Sequence, residues 1–196
     1  MLNEFIKMFW TLIPLIFTGI ANMLFCKSDL FLSLSRPIDC NIFLKDNQRL
    51  LGDNKTIKGF FGYVFIMTIS QGVFSLINKL FRLEKYNYLY VNHNNTIFYN
   101  IIVGFSLGFV YAVFELPNSF FKRRMGILPG ENPKSVWRFF FIIVDQIDSL
   151  VGCVLVICLL YKFDIKFCLK YLLYGGMIHL FLNRILYILK LKKNKN

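Results

Sequence analysis

Apolar positions along this chain are bunched into long runs. Met8 to Cys26 carries no charge over 19 residues, and Gly59 to Ile77 is a second uncharged run of 19. Ile97 to Leu116 has one charge, Glu115, near its end. The fourth run, taken at about 137–161, has only Asp145 and Asp148 between Phe139 and Tyr161. Tyr171 to Leu189 has only Arg184, with His179 nearby. About 18 or more apolar residues suffice to cross a hydrocarbon core as a helix. The backbone must be helical there, because an unpaired peptide group in lipid has no water to bond. A soluble all-α protein is the other reading of such runs, but its helices would show a polar face at these lengths. The pattern therefore predicts an all-α integral membrane protein of about five transmembrane helices, at about 8–26, 59–77, 97–116, 137–161 and 171–189. Together they form a single membrane domain, 1–196. Pro14 is expected to kink the first span and Pro117 to end the third.

The first run also fits the outline of a secretory signal. Glu4 offsets Lys7 before it, and the apolar stretch continues past Gly19-Ile20-Ala21 to Phe25, which suits a retained anchor better.

Composition agrees with the pattern. The chain is 56% hydrophobic and 17% charged, where soluble domains are about a quarter charged. The net charge of +12 would suit nucleic acid, but its distribution follows the membrane. The segment 27–58, the segment after the third span (Lys122, Arg123, Arg124, Lys134, Arg138) and the tail (Lys190, Lys192, Lys193, Lys195) hold fifteen basic residues, against seven on the opposite side. The positive-inside rule then places the N-terminus outside and the C-terminus in the cytoplasm. Segments 27–58 and 117–136 become cytoplasmic loops, and no nucleic-acid partner is needed. The five cysteines show neither a CxxC pair nor zinc spacing and read as small apolar residues.

The unusual polar residues fall in three segments on that inner side. Gly52 to Gly59 offers Asn54, Lys55 and Thr56 as amide, ammonium and hydroxyl donors where a helix begins, a place suited to phosphate. The GxxxxGK[ST] spacing is absent, and a plain helix cap with solvated lysines remains the simpler alternative. After Pro117, Asn118 or Ser119 can cap a new helical turn, and Lys122, Arg123 and Arg124 form a compact cationic cluster. Such a cluster gains from an anionic partner, and arginine can grip phosphate through two nitrogens, although a bare topology signal has the same look. Asp145 and Asp148 are three apart and share a helix face. A charged carboxylate near mid-membrane costs about 3 kcal/mol on insertion scales, so the pair needs a partner. A divalent cation shared with phosphate oxygens, an ion pair to Arg184, and protonation within a proton path all meet that need. No Ser-His-Asp or Cys-His arrangement is visible, and His179 reads as a hydrogen-bonded core residue.

Four elements resemble the CDP-archaeol synthase family, small membrane enzymes related to phosphatidate cytidylyltransferases. They are Pro37-Ile-Asp39, Gly52-Asp-Asn-Lys-Thr-Ile-Lys-Gly59, Leu116-Pro-Asn-Ser-Phe-Phe-Lys-Arg-Arg-Met-Gly126 and Asp145-Gln-Ile-Asp148. Ile57 and Lys58 stand where the family usually has Trp-Arg. The resemblance implies a five-helix fold in the cytoplasmic membrane and a Mg²⁺-dependent transfer of CMP from CTP to a lipid phosphate monoester. The products are a CDP-lipid for phospholipid synthesis and pyrophosphate. It implies Asp145 and Asp148 as metal ligands and catalytic residues, with Lys122 and Arg123 acting on phosphates. Asn54, Lys55, Thr56, Asn118, Ser119 and Arg124 would bind substrate. The lipid, diacyl or isoprenoid-ether, is left open, as is the oligomeric state, a homodimer among the options. The alternative is an ion-coupled or lipid transporter built on Asp145 and Asp148.

Overall fold

The computed structural model describes residues 2–129, 131 and 137–190. Among them are five helices long and apolar enough to cross a bilayer: α1 (Leu2–Lys27), α2 (Ile57–Leu80), α3 (Ile97–Arg124), α4 (Trp137–Tyr161) and α5 (Ile165–Ile188). Short 3-10 turns punctuate the loops at Leu32–Leu34, Glu84–Tyr86 and Tyr88–Tyr90. Lys134, Lys192, Lys193 and Lys195, counted in the charge asymmetry, lie outside the described residues.

Lipid chains are as apolar as leucine, so helices in a bilayer associate through close packing and interhelical hydrogen bonds. The chain uses both. Gly104 and Gly108 lie four apart on α3 and let its backbone settle onto α2. A Cβ at Gly108 would lie 2.7 Å from the Tyr63 carbonyl oxygen and 2.8 Å from the Val64 Cα; at Gly104 it would lie 2.7 Å from the Thr68 Cα. Backbone cannot step aside as a side chain can. Gly108→Leu is therefore expected to destabilise the bundle by about 1–3 kcal/mol, read as a lower thermal midpoint in detergent. Polar pairs supply the rest: Gln71 donates to Asn100 at 2.8 Å, and Trp10 to Asn78 at 2.8 Å.

The third helix departs from the sequence expectation. Pro117 does not end it; α3 continues to Arg124. A proline removes one backbone bond and crowds the preceding turn, a cost that helices buried among neighbours tolerate. Segment 117–124 is thus helical and not a loop. The cysteines also differ from their reading as uniformly small apolar residues. Cys153 is buried and free, but Cys158 and Cys168 form a disulfide across the α4–α5 turn. Their separation of 10 residues has meaning only once α4 and α5 are known to form a hairpin.

Candidate active site

A cavity of about 660 Å³ has a polar end and an apolar wall. The polar end gathers Asn54, Lys55, Glu115, Asn118, Ser119, Lys122, Arg123, Asp145 and Asp148. The wall is built from α1 (Leu12, Leu15, Ile16, Met23) and α5 (Ile178, Leu182, Leu186), two helices that touch sparingly.

The continuation of α3 beyond Pro117 makes this geometry. Residues three or four apart share a helix face, so Glu115, Asn118, Ser119 and Lys122 form one stripe toward the cavity. Across from it, α4 presents Asp145, Asp148 and Ser149. The Asn118 amide donates to Asp145 Oδ1 and to Asp148 Oδ2, both at 2.7 Å. Lys122 Nζ donates to the two oxygens of Asp145 at 2.5 and 2.6 Å. The Ser149 backbone N–H donates to Asp148 Oδ1 at 2.6 Å. The ion pair to Arg184 is not formed: Arg184 is exposed, and Lys122 holds Asp145 in its place.

No cluster of three or more His, Cys, Asp or Glu placed for a metal occurs among the described residues. Mg²⁺, however, is commonly held by one or two carboxylates together with water and substrate phosphate oxygens. The acid pair fits that use. Its carboxylates converge on one amide, and the Oδ1 of that same Asn118 is buried without a hydrogen-bond partner. An orphaned oxygen beside two carboxylates is a third hard donor for a cation.

The donor segment of the sequence divides its duties. Lys55 pairs with Glu115 at 2.5 Å. Burial pulls its ammonium down, but Glu115, with Asp148 and Asp145 beyond, outweighs burial and holds Lys55 above its ordinary value. It is therefore charged at neutral pH. Thr56 caps α2, its hydroxyl accepting from the Gly59 N–H at 3.0 Å. Lys58 does not reach the cavity. It is 1% exposed, donates to the Ser28 carbonyl at 2.7 Å and sits over the Phe25 ring, tying α1 to α2. The loss of Trp-Arg at 57–58 thus falls on a helix joint.

The three cations of the cluster also part ways. Lys122 neutralises Asp145. Arg124 turns to the preceding loop, onto Asp46 and the Arg49 carbonyl, and does not line the cavity. Arg123 is 4% exposed and lines the cavity; its guanidinium donates to the Ile127 carbonyl, its Nε has no partner, and no carboxylate pairs with it among the described residues. A buried charge without a counter-ion costs several kcal/mol, on the order of 3–5. An anion in the cavity would remove that cost.

Two features escaped the sequence reading. Glu115 appeared only as a lone charge at a span's end, although its spacing to Asn118 and Lys122 was a usable signal. Asp39, known only from a short motif, is the knot of the 38–53 loop. Its buried carboxylate accepts from the Leu51, Gly52 and Asn41 N–H groups and from Arg49. Burial raises its pKa, but these donors together outweigh burial and hold the carboxyl below its ordinary value. A depressed carboxyl adds stability above its unfolded value of about 3.9 and loses it as pH falls through the folded one. The protection of the Leu51 and Gly52 amides against exchange, taken relative to the free-peptide rate at each pH, is expected to fall only below about pH 4.

Comparison with known proteins agrees with the fold and extends it. A sequence-family profile described as CarS-like, CDP-archaeol synthase, matches residues 1–195. Among curated proteins, the CDP-archaeol synthase of Methanococcoides burtonii is 30% identical over 81% of this chain and 89% of its own. That of Archaeoglobus fulgidus is 31% identical, over 80% of this chain and 82% of its own. A solved structure, described as an intramembrane enzyme for archaeal membrane lipids biosynthesis, superposes with a TM-score of 0.59 at 22% identity, covering 89% of this chain and 90% of that one. That likeness shows a shared fold. The chain belongs to the CDP-archaeol synthase family. It is a multi-pass membrane enzyme that transfers CMP from CTP to a lipid phosphate, giving a CDP-lipid. The transporter alternative is set aside by that membership.

Proposed function

We propose, on the premise of that membership, that the cavity between α1, α3, α4 and α5 is where this chain joins CMP to an isoprenoid-ether lipid phosphate. The observation that carries the reading is one cavity uniting an acid pair, a buried unpaired guanidinium and an apolar wall. Asp145 and Asp148, with Asn118 Oδ1, would hold Mg²⁺. When bound, the ion neutralises charge on the triphosphate and on the leaving pyrophosphate. Arg123 and Lys55 grip phosphate oxygens. Lys122 balances Asp145 and stands at the cavity edge for a second phosphate. Asn54, with Thr56 holding the start of α2, orients the nucleotide, and Ser119 supplies a hydroxyl between the two helices. A phosphate oxygen of the lipid attacks the α-phosphorus of CTP. A new P–O bond forms as the bond to the β-phosphate breaks, and the electron pair leaves with pyrophosphate. Catalysis here is positioning and charge stabilisation, since phosphoryl transfer asks for little covalent help. The apolar wall of α1 and α5 receives the lipid chains.

The site faces the cytoplasm in this reading, with the N-terminus outside. Two observations support it. Among the described residues, an excess of basic residues, eleven to seven, lies at the polar end. The Cys158–Cys168 disulfide lies at the opposite end, where an oxidising exterior would keep it. Purified protein given labelled CTP, Mg²⁺ and either an isoprenoid-ether or a diacyl lipid phosphate is expected to release pyrophosphate with the ether lipid at the higher kcat/KM. Equal or reversed preference overturns the substrate class. A membrane-impermeant maleimide applied to intact cells is expected to spare Cys40, which is exposed and free; its labelling overturns the orientation.

A further inference from the structure

The short segment after α1 presents a surface that the reaction does not use. Leu30, Phe31 and Leu32 are 62%, 65% and 61% exposed, and Leu34 is 38% exposed. Four large apolar side chains within five residues make a poor water-facing loop, and isolated exposed apolar residues do not cluster in this way by chance. The backbone is committed to this display. Phe31 adopts the left-handed region at φ 54°, which a bulky residue seldom does. The turn brings the Phe31 ring back to within 6.2 Å of Phe25 in α1. The joint is fixed on its other side by Lys58, bonded to the Ser28 carbonyl at 2.7 Å. The segment therefore folds back against the helix end.

We propose that residues 30–34 are a foot set into the headgroup–acyl boundary of the bilayer, with the lipid surface as its partner. Three features favour lipid over a protein. The patch continues the exposed apolar flank of α1, where Phe17 and Leu24 already face outward. It is followed by an exposed cation, Arg36, which suits anionic lipid phosphates. A short segment of exposed apolar residues followed by a basic residue, at the end of a membrane-spanning helix, is the chemistry of an interfacial anchor. The foot is joined to the site, since the Arg36 carbonyl accepts from the Ile57 N–H at 3.0 Å and Ile38 N–H donates to the Lys55 carbonyl at 2.8 Å. Anchored residues 30–34 thus set Lys55 and the mouth of the cavity at headgroup depth.

The test uses the full chain in nanodiscs containing anionic lipid, with Cys26→Ser and Cys40→Ser as background and a nitroxide attached through Leu32→Cys. Expected is strong relaxation by oxygen and protection from a water-soluble nickel chelate. Ready access to the chelate overturns the proposal, and protection from both reagents overturns it too, because it reports a protein cover. A kinetic arm uses Phe31→Ser with Leu32→Ser. Lost interfacial burial raises KM for vesicle-embedded lipid phosphate roughly tenfold, while kcat/KM for a short-chain, water-soluble lipid phosphate stays unchanged. No change with vesicles, or an equal loss with both substrates, overturns the link between foot and site.

Discussion

Asp148→Asn abolishes turnover while the protein still inserts and folds. The substitution removes one half-buried anion and keeps the side chain's shape, so the insertion cost of about 3 kcal/mol for a mid-membrane carboxylate is relieved. The Asn118 amide loses a charged acceptor, a minor loss beside that relief. Chemistry loses much more, because a cation site built on two carboxylates is left with one. A fall in kcat of roughly 100-fold or more is expected, the scale of removing one charge-stabilising group from a preorganised site. Asp145→Asn should match it in turnover and also free Lys122, whose only acidic partner among the described residues is Asp145. The measurement is pyrophosphate release against Mg²⁺ concentration, with thermal midpoints recorded beside it. Wild-type Mg²⁺ dependence in both variants would remove the acid pair from the reaction.

Arg123 and Arg124 are neighbours in sequence and should be opposites in kinetics. Arg123→Gln is expected to lower kcat/KM by about 100-fold, since it deletes the buried, unpaired guanidinium of the cavity. Its thermal midpoint should hold or rise, because an uncompensated buried charge disappears. Arg123→Lys should recover little if two nitrogens grip the phosphate. Arg124→Gln should leave kcat within a few-fold, on the order of a lost surface ion pair. It should instead loosen the 38–53 loop, visible as faster proteolysis there. If Arg124 carries the large kinetic loss and Arg123 none, the phosphate site has been assigned to the wrong arginine.

Much of the architecture was legible because a bilayer leaves few choices. Long uncharged runs must be helices, and the five predicted spans all coincide with observed helices. Their ends were less legible. Pro117 reads locally as a stop, yet α3 passes through it, and packing against α2 and α4 outweighs the missing backbone bond. That one misreading hid the site's order. With 117–124 taken as loop, Glu115, Asn118 and Lys122 have no common face. As helix they form a stripe. Asp145 and Asp148 were legible because a charge in lipid demands explanation. The separate fates of Lys122, Arg123 and Arg124 were not, because consecutive residues on a helix point about 100° apart and only the fold says what lies in each direction. Lys58 acts through contacts distant in sequence, on Ser28 and Phe25, and gave no local sign; Asp39 stood in a short motif that did not show its partners.

The apolar wall of the cavity, made of α1 and α5, changes what substrate concentration means for this enzyme. On the proposed reading, a reactant held in that wall and a product released from it remain dissolved in a two-dimensional solvent. Saturation should therefore follow the mole fraction of lipid phosphate in the membrane, and adding more vesicles of the same composition should leave the velocity unchanged. Inert lipid becomes a diluent that slows the reaction. CTP and pyrophosphate obey ordinary volume concentration. One catalytic cycle thus couples two solvents with different units, and its flux can be tuned by membrane composition alone.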